Sequence, residues 1–374
     1  MSTPRKKAIV SVINDLVTDQ RVNRTCMVLH ELGYDVMLVG RKQRTSKEMD
    51  VRPYRTHRMR LLFEKGFFFY ASFNIRLFFF LLFRKADVLV ANDLDTLWPN
   101  RIVSKWKGAK LVYDTHEIFC EVPELQHSTW KKNFWKRIER RIFPKLQYVF
   151  TVNKSIAGYY EKEYGTKLHV VRNIPANYAI APGKPGLEGL APGKKMMILQ
   201  GSGINVQRGA EEAVQAMQWV NNAVLFIIGG GDVIDELKRM TRVLKLEEKV
   251  RFIGKQDFSN LMRYTMSADI GLTLDKDTNI NYRFSLPNKI FDYIHAGIAV
   301  LASPLVEIKS IVDEFKVGVC IETHDPGHIA EKLNAMLGDE KQLAEWKQNS
   351  RIAAEKLNWE NEKLELVKVF SSFL

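Results

Sequence analysis

The sequence predicts an α/β protein built as two tandem, doubly wound, Rossmann-like domains. Three observations carry this. Short apolar runs recur along the chain with consecutive rather than alternating apolar positions, the pattern of parallel strands covered on both faces. Helical stretches separate the runs throughout. The length of 374 residues suits about two domains.

In the first half the strand-like runs are residues 8–14, 35–40, 87–92, 110–116, 148–153 and 169–173. Residues 18–33 read as the first helix, with Thr18 or Asp19 as cap and Gly33 as stop. Residues 181–195, "APGKPGLEGLAPGKK", read as a linker because Gly and Pro crowd there. A second series follows at 196–201, 223–231, 249–255, 268–274, 299–303 and 317–322, and the remainder from 325 onward reads as helix. The expected divisions are 1–172, 173–345 and a terminal helical stretch, 346–374. In such sheets ligands lie beyond the carboxyl ends of the strands, so two facing domains would build an interdomain cleft.

Charge divides the chain. The net charge is +13, yet residues 1–170 carry 31 Lys and Arg against 17 Asp and Glu, and the rest is close to neutral. A basic first half suits an anionic membrane surface, a phosphorylated acceptor or nucleic acid, and equally a solvated surface. No RNA or DNA module pattern accompanies the charge, so no nucleic-acid partner is expected. Cys26, Cys120 and Cys320 are odd in number and match no metal spacing, which fits a reducing compartment. Residues 1–7 are polar and basic, and the apolar run behind them is too short for a secretory segment. A cytoplasmic chain is expected.

Two stretches of the second half carry chemistry. In "LQGSGINVQRGAEEAV", residues 199–214, a strand ends, a turn containing Gly201 and Gly203 follows, and a helix begins near Gly209. Free N–H groups at a helix start suit an anion, and the guanidinium of Arg208 suits a pair of phosphate oxygens. A βα loop with a solvated Arg would read the same way. In "RFSLPNKIFDYIHAGIAVLAS", residues 283–303, Ser285 is placed to cap a helix with Pro287 in its first turn. Lys289 there opposes the helix dipole unless it meets an anion. Asp292, one turn in, can accept from a ribose diol.

In the first half His116 stands just past a strand end, flanked by Asp114 and Glu117; a structural histidine would look the same. Asp93 and Asp95 follow another strand end, where capping of the next helix is the expected role. Residues 64–87, "EKGFFFYASFNIRLFFFLLFRKAD", are too short and interrupted to span a bilayer. They are expected as a buried helix ahead of one lying in a membrane interface. Residues 130–145, basic, aromatic and helical in period, are a better candidate for a membrane-facing surface; a solvated basic face with Trp130, Phe134, Trp135, Ile138 and Ile142 packed inward would read the same way.

Taken together, "SLPNKIFDYIHAGIAVLAS", "QRG", "VRFIGK", "VINDLVTDQRVNRTCMVLHELGYDVMLVG", "VRNIP" and "NWENEKLELVKVF" resemble the GT-B glycosyltransferases, in particular the retaining family 4 enzymes. The resemblance implies donor contacts at Gly201, Gly203, Gly209, Gly254, Lys255, Ser285, Asn288 and Asp292, and catalytic roles for Arg208, Lys289 and His116, the last facing the transferred sugar. It implies acceptor contacts at Asn14, Asp114 and Glu117, and a terminal helix that returns to the first domain. Three positions depart from the pattern. The second acid is Asp292 rather than Glu, so its reach is shorter. Phe284 stands where the family has its first acid. Gly203 stands where it has an Arg, whose work falls to Lys289, Arg283 or Arg208 alone.

The implied activity moves a sugar from a nucleotide-diphosphate sugar to a glycan or lipid-linked acceptor. Retention of configuration and independence of metals and cofactors come with it. The implied setting is synthesis of cell-surface polysaccharide, such as lipopolysaccharide or capsule. The basic first domain would make peripheral contact with the anionic inner membrane face. A sugar-nucleotide 2-epimerase shares the twin-domain fold and stands as an alternative. So does a non-catalytic GT-B binding subunit, given Phe284.

Overall fold

The computed structural model describes residues 4–17, 19–126, 128–176 and 188–374. Thr18 lies outside these, and of the expected linker only 188–195 is described. Contacts divide the chain into two units, 1–173 with 362–374, and 174–361. Residues 346–361, expected with the returning helix, belong to the second unit.

The first unit holds a parallel sheet of β1 (Lys7–Asp15), β2 (Asp35–Lys42), β3 (Arg55–Arg60), β4 (Val88–Asn92), β5 (Lys110–Thr115), β6 (Tyr148–Thr151) and β7 (His169–Val170), in the order β3-β2-β1-β4-β5-β6-β7. Ala8 pairs with Val36 on one side and Val88 on the other. Consecutive residues of β1 and β4 are buried, as a sheet covered on both faces requires. Asp19 caps the first helix, Gln20–Glu31, by accepting from Val22 N at 3.1 Å.

The last helix, Trp359–Ser371, is tied to this sheet over 362–374. Glu362 takes Arg172 N at 2.7 Å and Arg172 Nε at 2.9 Å, Glu365 meets His169 Nδ1 at 2.6 Å, and Phe370 O accepts from Tyr34 at 2.8 Å.

The second unit repeats the architecture with β8 (Lys195–Gly201), β9 (Ala223–Gly229), β10 (Val250–Ile253), β11 (Ile270–Thr273), β12 (Ala299–Ala302) and β13 (Gly318–Cys320), ordered β10-β9-β8-β11-β12-β13 and parallel throughout. Alternate residues serve two cores. Leu199, Ile227 and Leu301 join one with the helix Ala210–Ala216; Ile198, Phe226 and Val300 join the other with the helix Lys289–Ala296. In each unit the strand order reverses beside the first strand, between β1 and β4 and between β8 and β11. That is the point at which a doubly wound sheet leaves a crevice beyond its carboxyl ends.

Candidate functional site

In the second unit the two expected cations meet at the switch point. Arg208 Nη1 lies 2.7 Å from Asp275 Oδ1, and Lys289 Nζ lies 3.1 Å from Asp275 Oδ2. Asp275 follows β11 and is 0% exposed. Thr273 Oγ1 also donates to it at 3.2 Å. Burial acts to raise the pKa of this carboxyl, and Lys289 and Arg208 outweigh it, so it stays below the usual carboxylate range. Two cations against one carboxylate leave one positive charge in surplus. The guanidinium of Arg208 also stacks over the Tyr282 ring at 4.4 Å, which restricts where it can swing. The charge that resolves the misfit of Lys289 with its helix dipole is therefore internal.

The backbone around Arg208 is tight. Gly209 has φ +73°, and a Cβ there would lie 2.2 Å from Leu274 O, so only glycine lets this turn reach the end of β11. Gly201 and Gly203 are not constrained in this way. Their turn is instead laced to the one after β9, with Gly230 N donating to Gly201 O at 3.2 Å and Ile204 N to Gly230 O at 2.9 Å. The stem of Lys255, behind Gly254 at the end of β10, lies against Gly230. The ends of three strands thus share one edge.

The helix Ala210–Ala216 carries Glu211 and Glu212 in its first turn. Those acids already complement the dipole that was expected to attract an anion.

The segment 283–303 differs from expectation at its start. The helix is Lys289–Ala296 and Asn288 holds the cap position without a side-chain cap bond. Ser285 therefore does not cap it, because Ser285 sits three residues earlier, after the short helix Ile280–Arg283, with its N–H on Tyr282 O. Its Oγ is buried without a hydrogen-bond partner among the described residues. Asp292 Oδ2 accepts from Gln200 Nε2 at 3.0 Å, and Gln200 Oε1 accepts from Thr265 at 2.6 Å. This chain fixes the Asp292 carboxylate from the end of β8.

In the first unit His116 lies between two acids. Its Nδ1 is 3.1 Å from Asp93 Oδ2, and its Nε2 is 3.6 Å from Asp114 Oδ2, beyond hydrogen-bond range. Asp93 occupies the cap position of the helix Leu94–Lys107 but makes no cap bond. Its other oxygen accepts from His116 N at 3.2 Å, so the capping expected of Asp93 gives way to holding the histidine. Asp93 does this at φ +60°, a strain costing on the order of 1–3 kcal/mol.

Asp114, expected to meet an acceptor, is buried and committed to Arg21, which donates from Nε at 3.0 Å and Nη2 at 2.7 Å. Glu117 is exposed beside it, and Asn14 donates to Asp19 at 3.1 Å.

Solved structures share this architecture. Sucrose-phosphate synthase from Thermosynechococcus elongatus is 16% identical with a TM-score of 0.77, covering 98% of this chain and 99% of that one. Anabaena Alr3699/HepE in complex with UDP-glucose is 14% identical with a TM-score of 0.71, over 98% and 99%. WaaG, a glycosyltransferase involved in lipopolysaccharide biosynthesis, is 15% identical with a TM-score of 0.70, over 97% and 99%. No curated protein matches the chain. Residues 188–353 match the family model "Glycosyl transferases group 1", and residues 20–174 match "Glycosyltransferase Family 4". The chain is a GT-B glycosyltransferase of the group 1 and family 4 type. It is an enzyme that depends on a nucleotide sugar.

Sequence reasoning missed three residues of this glycosyltransferase that now anchor its candidate site. Asp275 sits in "LDKDTN", two residues from Asp277. Gln200 and Arg21 are polar residues inside apolar patterns, and both are buried. A buried polar residue demands a partner, which is the signal that could have found them.

Burial acts to lower the pKa of His116, but Asp93 and Asp114 outweigh it and hold the ring well above its usual range. The glycosyltransferase should therefore keep His116 as an imidazolium at neutral pH. Nitrogen-15 spectra at pH 7.5 should show both ring nitrogens protonated, and a neutral-ring spectrum would overturn this electrostatic account.

Proposed function

We propose that this glycosyltransferase binds the nucleotide diphosphate of its donor on the second unit, with Arg208 and Lys289 taking the phosphates and Asp292 the ribose. One observation carries the reading: two cations converge on one buried carboxylate at the switch point of that sheet, with a net positive charge left over. As the glycosidic bond breaks, negative charge grows on the leaving diphosphate. Cations already fixed in place stabilise it more as it develops, which lowers the barrier. They supply the charge that a divalent ion supplies elsewhere, so the reaction proceeds without a metal or cofactor.

We further infer that configuration is retained and that the acceptor is a glycan or lipid-linked sugar of a cell-surface polysaccharide, made at the cytoplasmic side of the membrane. The match to the family 4 model supports the first, and the likeness to WaaG the second. On the first unit, His116 donates to a sugar hydroxyl through Nε2, while Asn14 and Glu117 meet the acceptor. Gly201, Gly203, Gly254, Lys255 and Asn288 line the donor side.

The deciding experiment incubates the enzyme with a panel of UDP- and GDP-sugars and measures nucleotide diphosphate release with and without glycan acceptors. Acceptor-dependent release is expected. A new nucleotide sugar formed from donor alone would mark a 2-epimerase instead, and no binding of any donor a non-catalytic subunit. On the same footing, Asp292→Asn should weaken nucleoside diphosphate about 10- to 100-fold, the loss of hydrogen bonds to a charged acceptor, and leave inorganic pyrophosphate unaffected. Equal losses for both ligands by calorimetry would remove Asp292 from the ribose.

A further inference from the structure

We propose that His324 is a positioning residue for the donor site. From the loop after β13 it holds the end of β11, so that Asp275 and the Arg208 turn keep their places. The inference rests on the donor-site reading and deepens it, and it stands on the second unit alone.

Two contacts meet on the carbonyl of Leu274, the residue that follows β11. Gly209 comes so close that a Cβ there would lie 2.2 Å from Leu274 O. His324 Nε2 lies 3.1 Å from the same oxygen, and no other hydrogen bond reaches it among the described residues. A carbonyl only accepts, so Nε2 carries the ring proton and donates it. Ser303 Oγ, just past β12, also lies 3.1 Å from Nε2, and Ser303 N donates to Thr273 O at 2.9 Å. One imidazole thus ties the ends of β11 and β12 together. Leu274 and Ser303 are both fully buried, and a buried carbonyl that loses its donor is costly.

The bond matters to the site because of the peptide it holds. The C=O of Leu274 and the N–H of Asp275 belong to one rigid plane. Asp275 carries the carboxylate on which Arg208 and Lys289 converge. Without the imidazole that plane is free to turn in search of another donor, and the root of the Asp275 side chain turns with it. The Arg208 turn follows, since Gly209 rests on the same carbonyl and Lys276 N donates to Gln207 O at 3.0 Å. Arg208 depends on such placement, because its Nε is buried without a hydrogen-bond partner among the described residues. The loop that carries His324 is itself tied down. Asp325 caps the helix Pro326–Gly338 by accepting from His328 N at 2.9 Å, and Glu322 N donates to His328 Nε2 at 3.1 Å. The histidine is thereby anchored independently of the turn it supports.

The test is calorimetry of the full chain with UDP and GDP in wild type, H324A, H324Q, R208A and H324A/R208A. A Gln side chain can put an amide N–H where Nε2 stands; Ala cannot donate. H324A should bind the nucleotide diphosphate about tenfold more weakly than wild type, and H324Q within about twofold of it. Because His324 acts in part by placing Arg208, the double variant should bind no more than about threefold more weakly than R208A. Should H324A fold poorly, H324F, which keeps the bulk of the ring without the donor, carries the same expectation. A second readout needs no ligand. The nitrogen-15 signal of Arg208 Nε, identified by its loss in R208A, should move in H324A or H324F and stay in H324Q. Wild type that binds neither nucleotide would sink the donor-site reading on which the proposal rests. An unmoved Arg208 signal would overturn the positioning by His324 whether or not nucleotide binds. With wild-type binding intact, the proposal is also overturned by equal affinity in the Ala or Phe variant, by no recovery in H324Q, or by the full tenfold further loss in the double variant, which would mean that His324 touches the ligand itself.

Discussion

Replacing either Arg208 or Lys289 by Ala should weaken UDP or GDP binding by one to two orders of magnitude. It should slow transfer by about 10²–10³, the cost of removing one fixed donor to a developing charge. The geometry sharpens the expectation. Both cations share Asp275, at 2.7 and 3.1 Å, and that carboxylate is wholly buried. Removing one cation takes away a phosphate partner and also cancels the surplus positive charge, so the diphosphate then approaches a neutral cluster rather than a positive one. Removing both would leave a bare buried carboxylate and cost the fold roughly 3–5 kcal/mol, so the single variants are the informative ones. Calorimetry with the nucleotide diphosphate, paired with a melting curve for each variant, reads the two effects separately. Unchanged affinity in both single variants would remove this cluster from the donor site.

The fold was legible because its strands are apolar on consecutive residues. Twelve strand-like runs read from the sequence correspond to twelve of the thirteen strands among the described residues. The exception, Arg55–Arg60, has the sequence RTHRMR and lies at the edge of its sheet with Arg55, His57 and Arg60 exposed. An edge strand half in water needs no apolar run, and pairing with β2 from Met37–Arg55 to Lys42–Arg60 is a tertiary event that local pattern does not record. The boundary of the second unit was misplaced for a related reason. The helices Pro326–Gly338, Glu340–Lys356 and Trp359–Ser371 have similar periodicity, and only their packing distinguishes which sheet each one covers.

The candidate site was legible where a residue conflicts with its local setting. Lys289 opposes a helix dipole, and it does sit on a carboxylate. That the carboxylate is Asp275, fourteen positions earlier, is a fact of strand order: the end of β11 lies next to the end of β8, from which Arg208 comes. Helix starts were less legible. "SLPN" permits a cap at Ser285 or Asn288, and the chain turns at Ile280–Arg283 first. Exposure was least legible of all, since the Phe-rich segment 66–83 gives the same hydropathy whether one side of its helix is covered or both.

Asp114→Asn should lower the melting temperature of the protein by roughly 10 °C, the expected result of about 3–5 kcal/mol lost when a buried ion pair loses one partner. Arg21 is 8% exposed and Asp114 2%, and the guanidinium also donates to Val171 O at 2.6 Å. One pair thus pins the first helix to the ends of β5 and β7. Asn keeps the size and one acceptor but leaves the guanidinium uncompensated. The loss should depend on pH in a defined direction. Burial acts to raise the Asp114 pKa, and Arg21 and His116 outweigh it and hold the carboxyl far below its usual range. A carboxyl depressed on folding contributes stability above its unfolded pKa, about 3.9, and forfeits it as pH falls toward the folded value. The gap between wild type and Asp114→Asn should therefore be widest near neutrality and narrow below about pH 4. The same substitution removes one of the two acids holding His116 charged, so the imidazolium should titrate at lower pH in the variant. Melting curves from pH 3 to 8 on both proteins check the first point and nitrogen-15 spectra the second. A variant that melts within a degree or two of wild type at pH 7 would mean that the Arg21–Asp114 pair does not hold this unit together.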